Sequence, residues 1–266
     1  MGLYDFRDLS KFLGDEEPFL PAEAMFIDNV PIEEQIDGYQ TLNVSGRELL
    51  SYEPKTTDIP AMDGKMFQTA NYPEREIKVA YKLKAKDDQD FRTKYDYLNY
   101  LLSQKQFSFW FKDDPLWSFV GILSDADAVP VGTNEVASSF TILCTDPFKH
   151  CRYPVNTQGI GSVTTLEPIY FASIPDMISV VLKSSTNQVQ ITNGDLQIVL
   201  NGKFNANDVL VVRPTGEQYI TLNGNYHPEL LDYASDLENF KIKHMDTIKV
   251  TPATAQIEIV MRSGRL

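Results

Sequence analysis

The chain alternates between apolar and polar positions along most of its length, which predicts a protein built mainly of β-strands. Residues 76–84 show this most clearly, because their apolar side chains all fall on one face of an extended chain, with lysines on the other: Ile77, Val79, Tyr81 and Leu83. The same pattern predicts further strands at 24–30, 39–44, 107–111, 117–123 and 136–145.

One segment has the spacing of a helix instead. Within residues 88–103, apolar side chains recur three or four positions apart, at Phe91, Tyr95, Leu98, Leu101 and Leu102. Asp87 or Asp88 can cap the first turn with its carboxylate. We therefore predict a single helix here, packed on a sheet whose core includes the aromatic strand 107–111.

A turn signal stands in the middle of the N-terminal half. Residues 59–67 contain Asp63-Gly64 between two segments, and an Asp-Gly pair in this setting predicts a β-hairpin. We expect residues 48–84 to form a long exposed arm, with the lysines of 76–84 on its open face, where they block uncontrolled strand pairing.

Beyond residue 148 the pattern changes to short strands spaced by roughly ten residues. Eight are predicted, at 163–166, 177–183, 188–192, 196–200, 208–212, 218–222, 247–251 and 255–262. Turn signals separate several of them, at Asn193-Gly194, Asn201-Gly202 and Asn223-Gly224. This arrangement is typical of a jelly-roll β-sandwich, so we predict two domains, residues 1–148 and 149–266.

Composition and charge support two modules and exclude some functions. Of 266 residues, 42% are hydrophobic, which suffices for packed cores, and the net charge is −13. Residues 1–148 hold 26 acidic and 14 basic residues, whereas residues 149–266 hold 11 and 10. An acidic chain lacks the electrostatic footprint of a nucleic-acid-binding protein. The sequence has no signal-peptide pattern and no apolar run of membrane-spanning length, which predicts a soluble protein made in a cytoplasm.

Candidate catalytic and metal-binding residues are sparse. Cys144 and Cys151 are too few for a disulfide framework, although they could pair. The histidines have no recurring ligand spacing, unless Cys144, His150 and Cys151 converge on a metal. Asp125-Ala126-Asp127 lacks the glycine and glutamate that a calcium loop requires. Nucleophile-elbow and phosphate-loop motifs are absent. We therefore predict no enzyme activity, no cofactor and no metal.

An ordered set of features resembles the distal tail protein (Dit) family of long-tailed phages that infect Gram-positive bacteria. In the first half these are the strand pair within residues 26–46, the Asp63-Gly64 hairpin, the helix 88–103 and the segment 144–148, Cys-Thr-Asp-Pro-Phe. In the second half they are the strand 208–212, the turn 214–216, Tyr219-Ile220, the turn at Asn223-Gly224 and the last strand, 257–261. No single motif is specific, and the resemblance depends on their order.

The resemblance implies a structural protein of the virion, made in the bacterial host cytoplasm. Members form a six-fold ring at the distal tip of the tail, around the DNA channel. A first domain with a β-hairpin belt builds the ring, and a galectin-like sandwich lies outside it. The implied partners are further copies in a homohexamer, the tail tube protein, the tip hub or tail-associated protein, and a receptor-binding or baseplate protein. Specific nucleic-acid binding and membrane binding are not implied.

Carried onto this chain, the belt is residues 48–84. Its expected subunit-interface residues are Ile59, Met62, Asp63, Gly64, Met66, Phe67, Ile77, Val79 and Tyr81. The acidic first domain would line the channel with charge that repels passing DNA.

The alternative function is that of a carbohydrate-binding β-sandwich protein of the host-adsorption device. Tyr219, Tyr226 and Tyr233, in or beside the long connection 223–239, are the candidate partner-binding face, and protein contact suits them better than sugar binding. Enlarged relatives carry added carbohydrate-binding insertions, and this chain has none.

Overall fold

A computed structural model describes residues 20–61, 63–129, 133–166 and 169–266. Within these ranges the chain is mainly β-structure with one long helix, which confirms the fold class predicted from the sequence. The N-terminal half (residues 20–148) contains β1 (Met25–Ile27), β2 (Val30–Pro31), α1 (Ile32–Gln35), β3 (Tyr39–Ser45), β4 (Glu53–Thr57), β5 (Met66–Asn71), β6 (Arg75–Lys84), α2 (Asp88–Leu102), β7 (Phe107–Phe111), β8 (Trp117–Ala126) and β9 (Glu135–Cys144).

The main sheet of the N-terminal half is antiparallel and runs in the order β2-β1-β7-β8-β9-β6-β3. β6 lies inside this sheet, paired with β9 along its whole length and with β3 on its other side. Its alternating apolar side chains, which include Ile77, Val79 and Tyr81, are at most 3% exposed. The prediction that residues 76–84 belong to an exposed arm is therefore wrong, because the apolar face of this strand fills the chain's own core.

Helix α2 confirms the predicted helix. It begins after Asp87, whose carboxylate accepts a hydrogen bond from the Asp90 N–H and so satisfies a free donor of the first turn. Leu98, Leu101 and Leu102 are buried in the same hydrophobic cluster as the aromatic side chains of β7. The apolar stripe read from the sequence is therefore the face that packs on the sheet.

The C-terminal half (residues 149–266) is built of short strands. They are β10 (Lys149–Cys151), β11 (Val155–Ile160), β12 (Ser162–Thr164), β13 (Met177–Val181), β14 (Thr186–Asn193), β15 (Leu196–Phe204), β16 (Val209–Val212), β17 (Ile220–Leu222), β18 (Asn225–Tyr226), β19 (Thr247–Thr251), β20 (Gln256–Met261) and β21 (Gly264–Arg265). Two 3₁₀ turns occupy Pro228–Leu230 and Leu237–Asn239.

Two sheets of this half form a sandwich, ordered β11-β20-β13-β16-β17-β18 and β12-β19-β14-β15. Fully buried side chains from both sheets share one hydrophobic cluster between them, among them Ile178 and Ile257 from the first sheet and Ile191 and Ile248 from the second. The chain changes sheets at Gly161, between β11 and β12. This is the two-layer arrangement that the sequence predicts.

The C-terminal half contains four strands that the sequence did not predict, β10, β11, β18 and β21. β11 shows no apolar alternation, because the four residues between Val155 and Ile160 are polar or small. Asn201-Gly202, predicted as a turn, lies inside β15. A Cβ on Gly202 would meet Leu230 Cδ2 at 2.7 Å, so this glycine allows close packing instead of reversing the chain.

The two halves are joined through backbone pairing. β10 pairs with β8 on one side, Cys151 opposite Trp117, and with β21 on the other, Lys149 opposite Arg265. The chain enters the C-terminal half through β10, and the last strand of that half, β21, returns to lie beside it. The domain division at residue 148 stays a prediction.

Candidate assembly interface

The arm, defined here as residues 48–72, is formed by two strands that pair only with each other among the described residues. β4 and β5 run antiparallel from Glu53↔Asn71 to Thr57↔Met66. Gly64 has φ +80° in the connection, a conformation that glycine adopts without strain. The predicted hairpin is confirmed, although it is shorter than residues 48–84.

The side chains of the arm are open to solvent. Every residue of β4 is exposed, and so are all but one of β5. Of the predicted interface residues, Ile59, Asp63, Gly64, Met66 and Phe67 lie on this exposed hairpin, and Phe67 is 62% exposed. A lone two-stranded hairpin is marginally stable in water, and grouped exposed apolar side chains mark contact surfaces. Met62 lies outside the described residues.

The edges of the main sheet are covered, in contrast to those of the arm. In edge strand β3, the Thr41 N–H donates to Glu33 Oε1 at 2.9 Å and the Val44 N–H donates to Glu23 Oε2 at 3.0 Å. The opposite edge strand, β2, is two residues long and ends in Pro31, which has no N–H. Such features prevent edge-to-edge pairing, so pairing is blocked at the edges of the main sheet and left open at the arm.

A buried arginine fixes the base of the arm. Arg75, at the start of β6, is 2% exposed. Its guanidinium donates to the carbonyls of Gly46 at 2.8 Å and Glu48 at 3.1 Å, where the chain leaves for the arm, and to the carbonyl of Pro147 at 3.0 Å. Burial lowers the pKa of this guanidinium from its ordinary value. One cation thus ties the arm base to the end of the N-terminal half.

Aromatic rings continue this connection to the C-terminal half. The Tyr52 ring stacks on the Tyr72 ring with centroids 3.9 Å apart, so the two ends of the arm meet. Tyr72 contacts Phe148 edge to face at 5.9 Å, and Phe148 contacts Phe171 at 5.1 Å. A row of four rings therefore leads from the arm across the junction.

Two further arginines hold the junction. The Arg152 guanidinium lies 4.0 Å from the centre of the Trp110 ring and donates to Asn29 Oδ1 at 2.6 Å. The Arg265 guanidinium lies 4.4 Å from the centre of the Trp117 ring. Each pairs a cation of the C-terminal half with a tryptophan of the N-terminal half, a favourable contact for a planar guanidinium.

A cleft of about 910 Å³ lies between the halves, lined by residues that include Asn29, His150, Arg152 and Lys241. His150 Nε2 lies 2.7 Å from Asp146 Oδ2. Burial alone would raise the pKa of Asp146, but hydrogen bonds from the His150 ring and the Phe148 N–H lower it from its ordinary value. The polar contacts of His150 therefore serve the junction.

The predicted tyrosine face is only partly brought together. The rings of Tyr219 and Tyr226 meet edge to face at 5.6 Å. Tyr219 is half-buried against the core of the sandwich, and Tyr226 is exposed. Tyr233 is fully exposed, in the connection after β18. A common binding surface for the three stays a prediction.

The described ranges contain no group of three or more His, Cys, Asp and Glu side chains able to hold a metal ion. Cys144 and Cys151 are both free thiols, and burial raises the pKa of Cys144 to about 12. A thiol with so high a pKa is a poor nucleophile near neutral pH. Where the structure describes the chain, no helix is long and apolar enough to span a bilayer.

The arginines that organise this region were not among the residues predicted from the sequence. Arg75 begins the alternating strand β6 on its buried face, and a charged residue at a buried position was the available signal. The sequence does not predict the contacts of Arg152 and Arg265, because their tryptophan partners are distant in sequence and come close only in the folded chain.

Comparison with known proteins agrees with this architecture. Residues 33–142 match the phage tail protein RIFT-related domain family, and residues 172–261 match the family of the siphovirus-type tail component, C-terminal domain. The distal tail protein of Bacillus phage SPP1 is 28% identical over 229 residues, which cover 82% of this chain and 88% of that protein.

A solved structure shows the same fold. The crystal structure of the SPP1 Dit protein, described as a paradigm of the hub adsorption apparatus in phages that infect Gram-positive hosts, is similar with a TM-score of 0.75 and 22% identity. The match covers 90% of this chain and 98% of that one. The two family matches fall in order on the two halves of the chain, and the relative they accompany is a structural protein of a phage tail. The chain belongs to the distal tail protein (Dit) family of siphoviruses.

Proposed function

We propose that this protein is the ring-forming subunit of the tail tip. Six copies surround the DNA channel at the distal end of the tail, join the tail tube to the tip hub, and carry host-adsorption components on their C-terminal halves. Ile59, Met66 and Phe67 contribute to the contact between neighbouring copies. The protein acts as a scaffold and does no chemistry.

The observation that carries this proposal is the contrast between the arm and the main sheet of the N-terminal half. The arm exposes apolar side chains and unpaired strand edges, while the carboxylates of Glu23 and Glu33 cover the long edge of the main sheet. A closed ring requires head-to-tail contacts, in which one surface of a chain meets a different surface of its neighbour. The arm, next to a main sheet whose long edge is covered, supplies one of these surfaces.

Charge supports the placement of the N-terminal half around the channel. Residues 1–148 hold 26 acidic and 14 basic residues and so carry nearly all of the net charge of −13. Negative walls repel the phosphates of passing DNA and so reduce its adhesion. Replacing exposed carboxylates of this half with lysine should therefore slow DNA ejection, and an unchanged ejection rate would contradict this role.

Solution mass tests the ring directly. A hexamer of the 30.2 kDa chain has a mass of six times 30.2, about 181 kDa, by light scattering, and should form rings in negative-stain images. A chain that stays monomeric at every concentration would contradict self-assembly.

Matched variants locate the contact. Phe67→Glu places a charge on the exposed arm and should reduce the mass to that of a monomer, with unchanged thermal stability. Tyr233→Glu changes another exposed aromatic side chain, outside the arm, and should leave the ring intact. Equal effects of both variants would show that the arm has no special role.

Carbohydrate binding is a second candidate function, favoured by the contact between the exposed Tyr226 ring and the half-buried Tyr219 ring. Paired aromatic rings can stack on sugars. A glycan array with the wild-type protein and with Tyr226→Ala tests it. Signals that disappear in the variant would support this function, and an array without signals would exclude it for the glycans tested.

A further inference from the structure

The outer face of the six-stranded sheet in the C-terminal half carries a row of side chains that crosses every strand. In an antiparallel sheet, directly opposite residues on neighbouring strands place their side chains on the same face. Ile178, Leu210 and Ile257 of this sheet point into the core of the sandwich, so the residues next to them in sequence point outward. The register joins one outward residue of each strand into a row, which is Gln158, Glu258, Ser179, Val211, Thr221 and Tyr226.

Two hydroxyl groups of this row are covered by their neighbours but have no hydrogen-bond partner. Thr221 is 4% exposed and Ser179 is 8% exposed. Neither hydroxyl makes a hydrogen bond to a residue that the structure describes, and both oxygen atoms reach the surface. Because buried hydroxyls are normally paired, these two are suited to a polar group that approaches from outside the sheet.

Glu258 is held in a fixed position beside the Ser179 hydroxyl. Its Oε1 atom accepts hydrogen bonds from Asn156 Nδ2 at 2.5 Å and from Gln158 Nε2 at 3.1 Å. Its Oε2 atom has no partner among the described residues, so it is free to accept a hydrogen bond from a ligand. Hydrogen bonds to a charged group are stronger than those between neutral groups, which makes Glu258 the strongest acceptor of the row.

The same face also offers apolar contact. Val211 lies between the two hydroxyls, and the outward side chains of Val181 and Val209 flank it as an opposite pair on neighbouring strands. All three valines are half-buried and so form a recessed floor. Tyr226 ends the row with 42% of its surface exposed, and its ring meets the Tyr219 ring. The row therefore combines hydrogen-bonding groups with an aliphatic floor and an aromatic ring.

We propose that this row binds a neutral carbohydrate chain laid across the strands. Hydroxyl groups of the sugar donate to the free oxygen of Glu258 and form hydrogen bonds with the Ser179 and Thr221 hydroxyls. The apolar face of a sugar ring packs on Val211 and on the Tyr226 ring. This inference rests on the second candidate function, carbohydrate binding, and identifies the surface that performs it. It is independent of the proposed ring.

The charge and the length of the row determine the class of ligand. Glu258 is negatively charged and its hydrogen-bond partners are neutral amides, so it repels a phosphate or sulfate group placed beside it. Six strands at a spacing of about 4.8 Å make the row about 24 Å long. That length suits several sugar units joined in a chain and exceeds a single unit.

Two variants of the full-length chain remove hydrogen-bonding groups from the row. Thr221→Val keeps the shape of the side chain and deletes a hydroxyl that has no partner in the described structure, so the thermal stability should be unchanged or higher. Glu258→Gln keeps the size of the side chain and removes its charge. The matched control is Thr192→Val, the same substitution on the outer face of the four-stranded sheet. A thermal melt checks the folding of each variant.

An array of neutral and anionic glycans identifies a ligand of the wild-type chain, and calorimetric titration with that oligosaccharide compares the variants. We expect a neutral oligosaccharide whose affinity falls about fivefold in Thr221→Val and at least about tenfold in Glu258→Gln, with no change in Thr192→Val. If both row variants bind like this control, or if the array shows anionic ligands only, the row is overturned and carbohydrate binding at another surface stands. If the wild-type chain binds no glycan, the row and the second candidate function fall together, and the proposed ring stands.

Discussion

The buried Arg75 gives the most specific prediction of stability. Arg75→Met keeps a long, unbranched side chain but removes all hydrogen bonds to the carbonyls of Gly46, Glu48 and Pro147. The three carbonyls lose their charged donor, and the arm base loses its attachment to the end of the N-terminal half. Arg75→Lys keeps the charge but cannot reach all three carbonyls, so it should have an intermediate effect.

The size of the effect follows from burial and hydrogen bonding. A buried acceptor that loses its donor costs about 1–3 kcal/mol, and Arg75→Met removes the donor from three carbonyls. The Nη2 atom of Arg75 is buried without a hydrogen-bond partner, so part of the cost of burying this cation is relieved by the substitution. We therefore expect the free energy of unfolding to fall by about 3 kcal/mol.

Urea unfolding measures this change. Trp110 and Trp117 lie in β7 and β8, so their fluorescence follows the N-terminal half. With an m-value of about 2 kcal/mol/M, the midpoint should fall by about 1.5 M. The control Arg92→Met removes an exposed arginine from α2 and should move the midpoint by less than about 0.3 M. If Arg75→Met behaved like this control, the proposed clamp at the arm base would be refuted.

Three further predictions test the core, the thiols and the junction. Val79→Ala should lower the free energy of unfolding by about 2 kcal/mol, because Val79 is fully buried; an unchanged urea midpoint would argue against its place in the core. At pH 8 a thiol reagent should label Cys151 and leave Cys144 unreacted until urea is added, since burial raises the Cys144 pKa to about 12; rapid labelling of both thiols in the folded protein would contradict this. Asp146→Asn should lower the free energy of unfolding by about 0.5 kcal/mol at pH 6, a small effect because Asp146 and His150 are both half-exposed. The pKa of Asp146 is depressed in the folded state, so this difference should disappear as pH falls through that pKa, and urea curves with a pH-independent difference would rule the linkage out.

Sequence patterns predicted local structure well where the signal and its cause are both local. The helix α2 is confirmed to its cap at Asp87, because capping and apolar spacing act within one segment. The Asp63-Gly64 signal likewise marks the connection of a real hairpin. Each depends only on residues a few positions apart.

Partners in space were harder to predict. The alternation in β6 indicated that one face of the strand is buried, but it did not indicate which part of the chain covers that face. The lysines on the other face suggested an arm. They instead belong to the solvent side of the main sheet, where Lys78 faces Asp127 and Lys82 faces Glu135. β11 gave no signal, since the four residues between Val155 and Ile160 are small or polar and have no apolar period. The arm was therefore predicted only in part from the sequence, and β11 was not predicted.

The pairing of β8, β10 and β21 has a mechanical consequence. β10 pairs along one side with β8 of the N-terminal half and along the other with β21, the last strand of the C-terminal half. A force that separates the halves therefore acts on the backbone hydrogen bonds of this ladder as well as on the covalent link before Lys149. The Arg152 and Arg265 guanidiniums on Trp110 and Trp117 resist the same movement, so the junction transmits force instead of acting as a free hinge.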